Sequence, residues 1–118
     1  MASASPPPAA PTEQPITRDV INGVWHIDNA QSDDTCATID AQNNMSVIEK
    51  DGSKTDLTLS YSDSKKSITL KMGFFTADTI SFVKYMSDRT FDGHYSDGTT
   101  MHGTEMTLTK CKQLIVNQ

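Results

Sequence analysis

From about residue 23 onward, apolar and polar side chains alternate with a period of two, which is the signature of half-buried strands. In Leu57-Thr58-Leu59-Ser60-Tyr61 the apolar positions are odd, and in Ile68-Thr69-Leu70-Lys71-Met72 they are even. A four-residue loop, Ser62 to Lys65, would pair Leu59 with Ile68 and Leu57 with Leu70. Both apolar sets would then share one face, and the other would be wet. A three-residue loop, Asp51-Gly52-Ser53, would pair Val47 with Leu57 and Met45 with Leu59, with Gly52 as the left-handed residue. A two-residue Asp51-Gly52 turn would send Val47 and Met45 outward, so the longer loop is expected. Ser96-Asp97-Gly98 predicts a third hairpin, with His94 facing Thr100 and His102 facing Asp92.

Five more segments read as strands or strand pieces: Gly23 to Ile27, Thr35 to Ile39, Thr79 to Tyr85, Arg89 to Tyr95 and Thr99 to Cys111. Ile80 and Phe82 are expected on one face. Gly103 predicts a bulge or a break in the last segment. Helical periodicity is weak and confined to Ile16 to Ile21, where Thr17 would cap one turn over Arg18 to Ile21. The chain is therefore expected to be all-β, a small antiparallel up-and-down barrel of about eight strands, with a sandwich as the alternative. Trp25, Leu57, Leu59, Leu70, Phe82 and Met106 are large inward candidates and predict a filled interior. Met45, Met72 and Met101 are expected to join Met106 as core filler.

Composition divides the 118 residues in two. All five prolines (Pro6, Pro7, Pro8, Pro11 and Pro15) fall in the first fifteen. Residues 1–15 thus read as a disordered Pro/Ala-rich tail and 16–118 as the barrel domain. The tail resembles a spacer that follows a removed signal or a lipidated cysteine, with Met1 then an expression start; a cytosolic tail is the alternative. Ten Lys+Arg against 15 Asp+Glu, with no basic cluster, argue against nucleic acid. No run of about 18 apolar residues predicts a membrane span. Cys36 and Cys111 lie near opposite ends of the body and outside any Cys-x-x-Cys. One closing disulfide is favoured over two buried free thiols. Lys110 and Lys112 place Cys111 near a surface.

Candidate chemistry is sparse. Asp92, His94, Thr100 and His102 would share one face of the last hairpin, and a solvated face is expected there rather than a metal site. There is no Gly-x-Ser-x-Gly elbow and no His-Glu-x-x-His helix. The aspartates in turns read as turn chemistry. No catalytic, cofactor or metal residue is expected, and the chain is not expected to be an enzyme. Phe74-Phe75, after Gly73, is more informative, because adjacent strand residues point to opposite faces. Tyr85-Met86 offers a second such pair. Phe74, Phe75 and Tyr85 are therefore partner-contact candidates, against the alternative that they cap the barrel mouth.

Gly23-Val24-Trp25, then Cys36-Ala37-Thr38-Ile39, and finally Arg89-Thr90-Phe91-Asp92-Gly93 with Met106-Thr107-Leu108-Thr109, resemble the bacterial metalloprotease-inhibitor family. These are small secreted or lipid-anchored eight-stranded barrels. The resemblance implies a binding protein, with an extended N-terminal segment that enters a protease cleft and loops that hold the enzyme. Gly23, Trp25 and Cys36 carry over as scaffold positions, and no inhibitory residue does. The segment before Val20 is longer and more proline-rich than the family's, and the second cysteine is Cys111 rather than a mid-chain residue. The expected function is a monomeric cell-envelope protein-binding barrel, with protease inhibition its sharpest form. The alternatives are a lipocalin-like carrier of a small apolar ligand, or an accessory envelope subunit docking through the tail. The expected location is periplasmic, outer-membrane-anchored (by a lipid on the native precursor) or secreted.

Overall fold

The alternating segments close on themselves, so that one face of every strand is buried and no long edge is left unpaired. The computed structural model describes residues 10–17 and 20–117. A two-residue strand, β1 (Glu13–Gln14), precedes β2 (Gly23–Asn29), β3 (Thr35–Ile39), β4 (Asn44–Ile48), β5 (Lys54–Ser62), β6 (Ser67–Met72), β7 (Phe75–Met86), β8 (Thr90–His94) and β9 (Thr100–Glu105). Each strand from β2 to β8 pairs antiparallel with the next, and β9 returns to β2. The result is an eight-stranded up-and-down barrel, as the period-two pattern predicts.

The hairpin registers keep the predicted faces but move along the strands. Met45 opposes Leu57, and Leu59 opposes Leu70. Both shifts equal two residues, the repeat of the pleat, so Met45, Val47, Leu57, Leu59, Ile68 and Leu70 still face inward. The last hairpin has the predicted register, with Asp92 opposite His102 and His94 opposite Thr100. Gly103 neither bulges nor breaks its strand. It lies opposite Phe91, and a β-carbon there would come within 2.5 Å of that ring.

Phe82 departs from its expected inward position. The β7–β8 register slips by one residue between Ser81 and Lys84, and Phe82 sits at φ +54. This bulge turns the ring out to solvent and brings Val83 inward. The inner wall is Trp25, Ile27, Ile39, Met45, Leu59, Ile68, Leu70, Ile80, Val83, Tyr85, Phe91 and Met101. Burial of each large apolar side chain contributes about 1.5–3 kcal/mol. The space left among these side chains is about 70 Å³. Met72 and Met106 are not part of that wall: Met72 is half exposed, and Met106 lies against a second cluster.

That cluster corrects the reading of Thr99 to Cys111 as one strand. The chain leaves the sheet after Glu105 and forms α1 (Leu108–Val116), capped by the Thr107 hydroxyl, which accepts from the Lys110 amide at 3.2 Å. Leu108, Cys111 and Ile115 recur at helical spacing. They cover Cys36 and Ile48 on the outer face of β3 and β4. Cys36 and Cys111 are joined, with Cα atoms 6.0 Å apart. Cys111 is fully buried, although lysines flank it. In a helix those neighbours point away from it.

The boundary drawn at residue 15 also moves. Glu13 and Gln14 pair with Met86 and Tyr85 along the part of β7 that β6 does not reach. Thr12 and Ser87 exchange two hydrogen bonds, and the Ile16 amide donates to Asp63 at 3.0 Å. Ile16 is buried as a plug. Residues 1–9, and Arg18 and Asp19 of the expected helical turn, lie outside the described residues.

Candidate functional site

An up-and-down barrel has two ends, and the loops divide between them by parity. One end holds the connections β3–β4, β5–β6 and β7–β8 together with the arm that leads into β2. The other holds β2–β3, β4–β5, β6–β7 and β8–β9.

The arm end is closed by Trp25, which is fully buried and donates from Nε1 to the Ile21 carbonyl at 2.9 Å. Phe91 and Tyr85 meet it edge-on, with ring centroids 4.8 and 6.4 Å away. The Arg89 guanidinium lies 5.0 Å above the Trp25 ring, a cation–π arrangement. Arg89 also donates to Glu105, to the Val20 and Asn22 carbonyls and to the Tyr85 hydroxyl. The Glu105 carboxylate raises the Arg89 pKa further. Gly23 takes φ +134 beside this pair, and a β-carbon there would stand 3.1 Å from Glu105. Gly23 and Trp25 are thus packed into the closure of this end. Tyr85 belongs to this closed end too. It is buried in the core, not exposed beside Phe74 and Phe75 as the sequence suggested.

The other end is open. A concavity of about 880 Å³ is bounded by the loops after β2, β4 and β8 and by Asp78 of β7. Among the described residues, six carboxylates line it (Asp33, Asp34, Glu49, Asp51, Asp78 and Asp97) beside one lysine, Lys50, and Asp34 is paired with His26. Asp97 and Asp51 are held below the usual carboxylate range by hydrogen bonds, Asp97 chiefly from the Thr99 amide and Asp51 chiefly from the Ser53 hydroxyl. Tyr95 stands at the floor, shared with the apolar interior, and donates to Asn29 Oδ1 at 2.7 Å. Burial, with Asp78 and Asp97 nearby, pushes its phenol up to about 12.

The β6–β7 hairpin rises from the same end. Met72 opposes Phe75, and Gly73 with Phe74 forms the two-residue turn. Gly73 takes φ +62, which a hairpin this tight favours. Phe74 is fully exposed, Phe75 is 78% exposed and Met72 is 50% exposed. One aromatic was expected to enter the core, but the hairpin carries both past the last barrel layer.

Two of the three histidines sit elsewhere, and the third meets a carboxylate of the concavity. His102 Nδ1 contacts Asp92 Oδ1, and His94 meets the turned-out Phe82 ring edge-on at 5.6 Å, both on the outer wall. His26 pairs with Asp34 at 2.9 Å. No group of three or more acidic, histidine or cysteine side chains among the described residues is arranged to hold a metal. No helix among them is long and apolar enough to cross a membrane.

The carboxylate ring is the feature that sequence reasoning missed. Each aspartate, taken singly, is turn chemistry, and Asp51 and Asp97 do hydrogen-bond within their own loops. Summing charge over alternate loops would have exposed the ring. Compared with family models, with curated proteins and with solved structures, the chain matches none.

Proposed function

We propose that this protein is a cell-envelope binding barrel that docks a partner protein through its open end, with a protease as the partner class. The observation that carries the reading is the placement of the β6–β7 tip. Phe74, Phe75 and Met72 project into solvent from a barrel whose interior is already filled. Large exposed aromatic side chains on a hairpin tip cost solvation and contribute nothing to the core, which is the usual mark of a contact surface. The joined cysteines suit an oxidising compartment, which supports the periplasm, the outer membrane or the exterior. The Pro-rich segment upstream of β1 supports a tether to that membrane. Carriage of an apolar ligand is disfavoured, because about 70 Å³ is far less than the several hundred that a small-molecule site occupies.

The test is inhibition of a panel of secreted metallo- and serine proteases by the full chain, by a chain lacking residues 1–11, and by Phe74→Ser/Phe75→Ser. Inhibition by micromolar protein that disappears with the tip variant supports the reading. Absence of inhibition at that concentration, with and without the N-terminal residues, removes the protease version. Uptake of a fluorescent fatty acid by the full chain would restore the carrier.

A further inference from the structure

We infer that the partner segment seated at the open end is an extended, lysine- or arginine-bearing stretch of polypeptide with an apolar anchor, held between the carboxylate ring and the overhanging β6–β7 hairpin. This rests on the reading that the hairpin is a docking surface, and adds the chemistry of what docks.

Two independent observations converge. The first is register. Ile68, Leu70 and Met72 share the inner face of β6, and β7 presents Ile80, Asp78 and Phe75 opposite them. Met72 and Phe75 therefore continue the inner wall beyond the rim, where both are largely exposed. Asp78 lines the concavity and Phe75 is three residues further along β7, about 10 Å at strand rise. An apolar anchor laid against Met72 and Phe75 would thus place its flanking residues over the mouth.

The second is charge. The loops of the open end carry Asp33, Asp34, Glu49, Asp51 and Asp97 against Lys50, whereas the loops of the arm end carry Asp40, Asp63 and Asp88 against Lys65, Lys66 and Arg89. The imbalance is local to the open end. A concave wall of one sign focuses its field and attracts a segment of the opposite sign. It also decides between two classes of macromolecule. An exposed aromatic tip suits a lipid surface as well as a protein, but inserting Phe74 into an anionic membrane would press the carboxylate ring against lipid charge of the same sign. A basic polypeptide satisfies both the tip and the ring.

The experiment uses the oxidised full chain and a fluorescein-labelled heptapeptide of alternating lysine with leucine and tryptophan, titrated by anisotropy. Saturable binding is expected, about tenfold weaker when salt rises from about 0.05 to about 0.5 M. The variant Asp33→Asn/Glu49→Gln/Asp51→Asn should bind about tenfold more weakly, as should Phe74→Ser/Phe75→Ser. Asp88→Asn, at the arm end, should bind as the parent does. The same peptide with glutamate in place of lysine should not bind. Failure of the parent to bind the basic peptide, or equal binding by the charge variant, overturns the inference, as does preferential binding to phosphatidylserine vesicles. In the protease panel the two claims separate. If the tip variant loses inhibition and the charge variant keeps it, the docking surface stands and the basic segment falls. If neither variant changes it, both fall.

Discussion

The two ends of this barrel are made from the same residue types and use them in opposite ways. At the arm end the large aromatic Trp25 is fully buried, its indole nitrogen is bonded, and the Arg89 guanidinium is matched by Glu105, by two carbonyls and by the rings it covers. At the open end the large aromatics Phe74 and Phe75 lie in solvent, and among the described residues six carboxylates line the concavity beside one lysine. A closed, neutralised end contributes stability. An end with unburied aromatic area and unbalanced charge contributes little and is free to meet something else. The contrast separates the part of the sequence that specifies the fold from the part that the fold merely presents.

The largest test strikes the closed end. Trp25→Ala removes the central ring and should destabilise by about 3–5 kcal/mol, measured by denaturant unfolding of the oxidised protein. Next is the cross-link, which ties α1 to the outer face of β3. Cys36→Ser/Cys111→Ser opens a loop with a sequence separation of 75 and should cost about 2–5 kcal/mol, read as a lowered midpoint of thermal unfolding. Arg89→Met removes the Arg89 donor from the Asn22 carbonyl and the Glu105 carboxylate and leaves the Val20 carbonyl to the Tyr85 hydroxyl, at about 1–3 kcal/mol in all. A variant that left stability unchanged here would show that the clamp does not hold the closed end together.

Acid should sharpen the comparison from the other side. Asp40, Asp51, Asp63 and Asp97 all titrate below their ordinary value of 3.8, chiefly because of hydrogen bonds from Asn44, Ser53, Lys66 and Thr99 respectively. A depressed carboxylate pKa means that the unfolded chain binds protons first, so the stabilisation is complete above 3.8 and is lost as pH falls below it. Unfolding free energy should be flat down to about pH 4 and decline beneath it. Binding of the basic peptide should persist to the same limit, since Asp51 and Asp97 keep their charge there. A loss of binding well above pH 4 would contradict the assignment of binding to these carboxylates.

Much of this was legible in the sequence, and the gaps have physical causes. The strand count, the faces and the closing disulfide followed from alternation and cysteine placement. The loop registers moved by two residues because a period-two pattern is unchanged by such a slip, so it cannot fix where a turn begins. Phe82 was misplaced because alternation counts positions and a bulge inserts one; the adjacent apolar pair Phe82-Val83 was the available sign. α1 was missed because Met106 and Leu108 extend the alternation, while the helical spacing of Leu108, Cys111 and Ile115 is only three residues deep. Tyr85 was drawn to the surface by analogy with Phe74-Phe75, and tertiary closure by Trp25 put it inside. The carboxylate ring was invisible residue by residue, since it exists only once alternate loops share an end.

The central claim is that the tip aromatics do no folding work. The most direct measurement is the denaturant unfolding free energy of Phe74→Ser/Phe75→Ser beside the parent. The account predicts agreement within about 0.5 kcal/mol, as for solvent-exposed substitutions. A loss of about 2 kcal/mol or more would mean that these rings are part of the barrel's own packing, and that the open end is not a surface held ready for a partner.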